Sequence, residues 1–421
     1  PILMGCENWD DHDRSNRTTA RDMANNYLCA LDPNAILVTH GDNDTFPLWY
    51  AQEVENTRLD VRIVNTSLLG TDWYIDQMKR KQYDSDPLPI TLDRIQYLYG
   101  TNDFPFVTEA INRPILASEA IDIFRNPKFK LSDGASDYIP AKKLLIPVNK
   151  ENVIKYGIVP EKDIDRIADT VTLEIQGDRI GKTDLIILDI LAHYNWDRPI
   201  YFVTQTCDVN LGLEYWTQNC GFSYKFVPVR SEEPRTNPYV DAEKFSDNLM
   251  NVFNFNSLAR DDVYYDYQNI YTFEAVVPIR DMFSSIAEKH IEKGDMQAAE
   301  TLLDKCIEVM PTKNFPYNVS WLRSVNELSM VHIVKAYLEC GATEKGLAVA
   351  EQFADELIRA IVFFSTPVKD GQISQKGLDD AAQLFYYLLD TLEEHEQKDL
   401  SQKLQKKMYL ALNVKPQVEE N

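Results

Sequence analysis

The sequence predicts an α/β fold, a mostly parallel sheet with flanking helices, followed by an all-α domain. Short, apolar, β-rich runs bounded by turn residues recur between helix-length segments as far as residue 206. That alternation is the one a parallel sheet covered on both faces requires. From about Tyr239 the runs stop and helical periodicity takes over. The Pro-bearing stretch "SEEPRTNPY" lies between the two patterns, so the expected domains are an α/β domain over 1–238 and a helical domain over 239–421. A chain of 421 residues is too long for one ordinary core, which agrees with a division in two.

The elements follow in chain order. "TTARDMANNYLCAL" at 18–31 reads as a helix, ended by Pro33, and "AILVTH" reads as a fully buried strand. After "GDND", the segment "TFPLWYAQEVEN" reads as a helix, with Asp44 or Thr45 as its N-cap and Pro47 tolerated in its first turn. "VRIVNT" at 61–66 is the next strand and completes a βαβ unit. A helix is expected at 71–80, and the Pro-rich stretch 83–115 receives no firm assignment. The pattern then resumes with a strand at 170–176, a helix at 183–194 and a strand at 199–206. This last strand ends in the polar turn Cys207-Asp208 and runs into an expected helix, "VNLGLEYW".

Beyond the boundary, "IAEKHIEKGDMQAAETLLDKCIEVMP" resembles a tetratricopeptide repeat. Ala287, Gly294, Ala299, Cys306 and Pro311 stand at that motif's small-residue and proline positions and Leu303 at its large apolar one, an arrangement that lets two helices pack closely. A weaker copy runs through Tyr337, Gly341, Gly346 and Ala350. Gly341 stands 47 positions after Gly294, more than the usual ~34, so the array is expected to be irregular and short. Such helices pack against the α/β domain or hold a peptide in their groove.

Composition excludes several classes of function. The net charge is −23 and no stretch concentrates Lys and Arg, whereas nucleic-acid binding depends on basic residues that release counterions from phosphate. The six cysteines form no CxxC pair, so zinc ribbons and redox dithiols are unsupported and core thiols are expected. Cys207 and Cys220 are near enough in sequence to close a loop in an oxidising compartment. No apolar run reaches the ~18 residues of a membrane span, and the N-terminus lacks the pattern of a signal peptide. "PILMGCENWDDHDRSNR" reads as the continuation of a longer protein.

Two polar clusters stand out as candidate sites. In "WDDHDRSNR", Asp11, His12 and Asp13 alternate carboxylate with imidazole ahead of the first helix and suit a divalent cation, while Arg14 suits an anion. In "THGDND", His40, Asp42, Asn43 and Asp44 follow a strand, where open α/β sheets bind ligands. Helix capping accounts for Asp44 or Thr45 but leaves Asp42 and Asn43 unexplained. Both clusters are also what a capped, solvated loop looks like, so no catalytic residue and no metal ligand is assigned and no cofactor is required. "GDRIGKTD" at 177–184 fails as a phosphate-binding loop, because only Asp178, Arg179 and Ile180 separate its first glycine from Gly181-Lys182. Thr183 or Gly181 is expected to cap the following helix instead, and no GxGxxG follows any strand.

"WDDHDRSNR", "GDNDTFPLWYAQEVE", "DVRIVNTSLLGTDWYIDQMKRK" and "NWDRPIYFVT" together resemble the extracytoplasmic C-terminal region of a Bacteroidota membrane-protein family. That family is described as protein O-mannosyltransferase-like, is placed among the GT-C-type glycosyltransferases, and was long known only as a domain of unknown function. The match covers most of the first 205 residues, and the helical remainder fits the family's tetratricopeptide-like tail more loosely. The resemblance implies a multi-pass membrane half upstream, on whose periplasmic face this chain sits. The acidic catalytic residue and the lipid-linked sugar donor would belong to that half.

The expected function is therefore that of an accessory domain that binds sugar or acceptor without completing the chemistry alone. Carboxylates would accept bonds from sugar hydroxyls, and Trp73 or Trp49 would stack on sugar rings, although both are also ordinary core candidates on amphipathic helices. The expected partners are the upstream membrane half and a sugar or acceptor protein, with no nucleic acid. Two alternatives belong to other classes: a metal-dependent hydrolase that activates water between the Asp/His clusters, and a repeat scaffold whose helices bind a protein.

Overall fold

The structure is a computed structural model that describes residues 2–8, 15–234, 238–263, 276–318, 328–365 and 375–413. Its strands are β1 (Ile36–Thr39), β2 (Arg62–Asn65), β3 (Phe106–Val107), β4 (Ile115–Leu116), β5 (Tyr138–Ile139), β6 (Lys143–Pro147), β7 (Thr170–Glu174), β8 (Ile200–Phe202), β9 (Thr217–Asn219), β10 (Tyr224–Phe226) and β11 (Tyr239–Val240). The longer helices of the same half are α1 (Thr19–Cys29), α2 (Gly41–Glu53), α3 (Asp72–Met78), α4 (Ala117–Arg125) and α5 (Lys182–Ala192). These elements form one compact unit, Ala20–Phe245, and Pro1–Thr19 with Ser246–Asn421 form a second.

Every residue of β1, β2 and β8 is buried, which is why these strands read as near-continuous apolar runs in the sequence. β1 sits between β2 and β8 in parallel register, Ile36 opposite both Arg62 and Ile200. Ile36, Val38, Val64, Ile200 and Phe202 meet Ile187, Ile190 and Leu191 of α5 on one face of the sheet. α5 is apolar almost all round, as a helix sealed into a core must be.

The sheet itself is mixed, in the order β11-β9-β10-β8-β1-β2, with β10 antiparallel to both β8 and β9. The expected strand at 170–176 forms but lies in a separate three-stranded sheet, β4-β6-β7, where it runs antiparallel to β6. A two-stranded pairing of β3 with β5 completes the strands. The expected helix "VNLGLEYW" reduces to one tight turn, Leu213–Trp216. Gly212 takes a left-handed conformation, φ +72°, and a Cβ there would stand 3.1 Å from the Glu174 carbonyl oxygen. Leu211 O accepts from Glu174 N at 3.1 Å, so this segment runs against the end of β7 and cannot coil. A short turn closed by Cys220 N donating to Ser223 O at 2.8 Å then sends β10 back along β9.

The stretch left unassigned from the sequence holds only the short helix Arg94–Tyr97 and the strands β3 and β4. The cysteines depart from expectation: Cys207 and Cys306 are buried, but Cys6 and Cys29 are exposed, and all six are free thiols, Cys207 and Cys220 included.

The second unit is helical. Its main helices are α6 (Val276–Glu292), α7 (Met296–Val309), α8 (Ser329–Glu339), α9 (Thr343–Ser365), α10 (Gln375–Glu394) and α11 (Lys398–Ala411). They pair in sequence, and the pairs stack, α6 on α8, α8 on α10 and α9 on α11. Ala287, Ala299, Leu303, Cys306 and Ala350 are all buried between helices. A Cβ on Gly346 would lie 3.0 Å from that of Tyr337, so a larger residue there would have to push α8 and α9 slightly apart. Among the described residues no helix is long and apolar enough to cross a membrane.

Candidate functional site

At the carboxyl ends of β1 and β2 the polar residues divide into a buried lock and an exposed fringe. α2 begins at Gly41, earlier than expected, with His40 as N-cap and no side chain closing the cap. Asp44 and Thr45 are therefore inside the helix rather than at its N-cap, and Pro47 lies beyond the first turn. Pro47 has no N–H to offer the carbonyl of Asn43, which is exposed and open to water.

Thr45 is fully buried and its hydroxyl is saturated. It donates to Gly41 O at 2.7 Å and accepts from Thr39 Oγ1 at 2.7 Å and Asn65 Nδ2 at 2.8 Å. Asn65 Oδ1 accepts in turn from Ser67 N at 2.8 Å and Leu68 N at 3.2 Å. One hydroxyl thus ties the end of β1, the first turn of α2 and the turn after β2.

Outside this lock, His40 Nδ1 lies 3.0 Å from Thr66 Oγ1 and its Nε2 lies 3.2 Å from Asp208 Oδ2. The sequence Asp208, His40, Thr66 has the order of an acid, a base and a nucleophile, but its chemistry is different. Thr66 is 5% exposed and gives its hydroxyl proton to Thr39 O at 3.0 Å, so it receives from His40 instead of being activated by it. Burial pushes the neighbouring Cys207 thiol up to about 11, which keeps it protonated at neutral pH. Asp42 and Asn43 are exposed. Two carboxylates in the first turn, Asp42 and Asp44, suit the positive end of the helix dipole.

Trp73 belongs to a different place. It stands on the rim of a cavity of about 240 Å³ between α2, α3 and the edge strand β2. Val61, Arg62, Ile63, Tyr74 and Met78 form the buried floor, and the rim carries Trp49, Glu53, Gln77 and Tyr83. Trp73 is 54% exposed and Tyr83 is 46% exposed, while Trp49 is half-buried and stacks on Phe46 with centroids 5.5 Å apart.

The floor is closed by its own hydrogen bonds. Tyr74 accepts at its hydroxyl from Asn65 N at 2.9 Å and so covers the outer edge of β2. Burial pushes that hydroxyl up to about 12. Gln52 donates to Arg58 O and Val61 O, both at 2.9 Å. At the rim, Tyr83 donates to the Glu53 carboxylate, and this bond raises the tyrosine above its ordinary range.

The structure thus brings His40, Asp42, Asn43 and Asp44 together at the strand ends, and none of them lines the groove that Trp73 borders. Asp11, His12, Asp13 and Arg14 lie outside the described residues. Among the described residues no three His, Cys, Asp or Glu side chains are grouped so as to hold a metal ion. Sequence reasoning missed Glu53, Gln77 and Tyr83. Tyr83 sits in "RKQYDSDP", where turn residues are the only local signal, and reaches Glu53 across 30 positions of chain.

Residues 20–244 match TMEM260-associated domain 2, a span that nearly coincides with the α/β unit. The chain belongs to that family. Neither the curated proteins nor the solved structures contain a match. In this TMEM260-associated domain the strand-end lock and the aromatic groove both fall within the matched span.

Proposed function

We propose that this chain is the periplasm-facing accessory part of a protein O-mannosyltransferase-like membrane glycosyltransferase, and that its α/β unit binds sugar or acceptor for a catalytic half elsewhere in the protein. The tetratricopeptide-like helices pack or recruit. One observation carries the reading: Trp73 presents an exposed ring at the mouth of a cavity whose rim also offers Glu53, Gln77 and Tyr83. An aromatic face beside hydroxyl-accepting polar groups is the arrangement that a pyranose ring needs, because its C–H face is apolar and its edge is polar.

In the strand-end cluster the contact of His40 with a hydroxyl ends on a buried Thr66 whose proton is already given to Thr39 O, which supports binding over bond-making. The test is a titration of the purified chain against a broad saccharide panel, read by calorimetry or saturation-transfer NMR. Saturable binding that Trp73→Ala weakens by about tenfold or more and Asp42→Ala leaves intact supports the reading. A panel with no binder refutes it.

A further inference from the structure

The groove's charge and size narrow what it takes. We infer that it receives a single uncharged pyranose ring, the terminal unit of a neutral glycan or glycosylated acceptor, and rejects the phosphate-bearing sugar of a donor. This rests on the sugar-binding reading above and specifies the ligand class of the same site.

Size comes first. A cavity of about 240 Å³ falls just under the ~300–1,000 Å³ of sites for drug-sized ligands, so it suits one ring and not an extended chain. Aromatic surface is available for one ring: Trp73 and Tyr83 are exposed on the rim, and Trp49, stacked on Phe46, also lines the cavity.

Charge decides between donor and acceptor. A sugar phosphate or uronate needs a cation or a nest of free N–H groups to replace its water. Among the described residues Arg62 is the only cationic side chain on the lining, it is 1% exposed, and its Nε and Nη2 are already given to Ser85 Oγ at 3.1 Å, Arg80 O at 2.9 Å and Ser85 O at 3.0 Å. Its Nη1 has no partner but is sealed from solvent, so an anion would reach it only by opening the floor. On the rim stands Glu53, an anion, in a chain of net charge −23. The Glu53 carboxylate accepts from hydroxyls and repels phosphates, while the neutral Gln77 amide suits hydroxyls as donor and acceptor.

The probes are methyl hexopyranosides and a neutral O-glycosylated peptide on one side, and methyl glucuronide and hexose 6-phosphates on the other, titrated into the full chain. Neutral probes are expected to bind, the peptide arm showing whether attachment to a protein adds affinity. Trp73→Ala should weaken that binding by about tenfold or more, with circular dichroism confirming that this exposed substitution leaves the fold intact. Glu53→Gln keeps the stacking surface and should narrow the gap between methyl glucuronide and its neutral counterpart. Anionic probes that bind as tightly as neutral ones in the unaltered chain, in a manner dependent on Trp73, overturn the inference while leaving the sugar-binding reading standing. Binding of neither class overturns both.

Discussion

The lock at Thr45 gives a sharp test of whether the strand-end cluster is a joint or a site. Thr45→Val keeps the shape of the side chain and removes a hydroxyl that makes one donated and two accepted bonds. Thr39 Oγ1, fully buried, loses its acceptor, and such an orphaned group costs ~1–3 kcal/mol. Asn65 Nδ2 loses one bond but keeps Gly41 O at 3.1 Å, so its share is ~0.5–1 kcal/mol. The sum is about 3 kcal/mol, or a shift of roughly 1–1.5 M in the urea midpoint at a typical slope of ~2–3 kcal/mol per M. Trp49, Trp73, Trp196 and Trp216 all lie in this unit, so tryptophan emission follows its unfolding. Thr45→Ser retains the hydroxyl and should recover most of the loss. Asp42→Ala removes only an exposed helix-start charge, an effect of ~0.3–1 kcal/mol. A neutral Thr45→Val beside a strongly destabilising Asp42→Ala would refute the argument that the buried hydroxyl carries the joint.

Three further predictions concern the same unit. Asp189 is fully buried on α5 and accepts from Thr91 N at 2.6 Å, Thr91 Oγ1 at 2.8 Å and Leu92 N at 3.0 Å. Asp189→Ala orphans both amides and should lower stability by about 4 kcal/mol in urea unfolding. Gly212→Ala forces a left-handed alanine, φ +72°, against the Glu174 backbone; a loss of at least ~1 kcal/mol is expected, seen as a Tm drop of about 2–4 °C. The hydrogen bond from His193 to the Asp189 carboxylate, at 3.0 Å, raises the histidine above its ordinary value. Its stabilising contribution is full below the unfolded value near 6.5 and fades as pH rises through the higher folded value. The urea midpoint should fall as pH rises above about 6.5, and His193→Gln should flatten that dependence; an unchanged slope in the variant would show that another group titrates.

Some of this was legible in the residues and some was not. "AILVTH" and "VRIVNT" announce β1 and β2 because buried strands are rich in apolar β-branched residues, the buried Arg62 and Asn65 being satisfied by their own hydrogen bonds. "GDRIGKTD" announces a helix start, and Gly181 is indeed the N-cap of α5, its N–H donating to Asp184 Oδ2 at 2.9 Å. The start of α2 at Gly41 is hidden from the sequence because Asp44 and Thr45 are good cap residues by type, and only the partners of Thr45 reveal that its hydroxyl faces inward. "VNLGLEYW" has helical spacing, yet the carbonyl of Glu174, 38 positions before Gly212, dictates its path.

By itself the sequence determined local periodicities: the buried strands β1, β2 and β8, the strand β7, and the helices α1, α2, α3 and α5. Those depend on neighbours a few residues apart. The tertiary structure alone decided that the sheet is mixed, that His40 and Asp42 are separated from the groove of Trp73, and that Glu53, Gln77 and Tyr83 join that tryptophan around one cavity. Such outcomes depend on which distant segments come to lie side by side, and no local pattern encodes that.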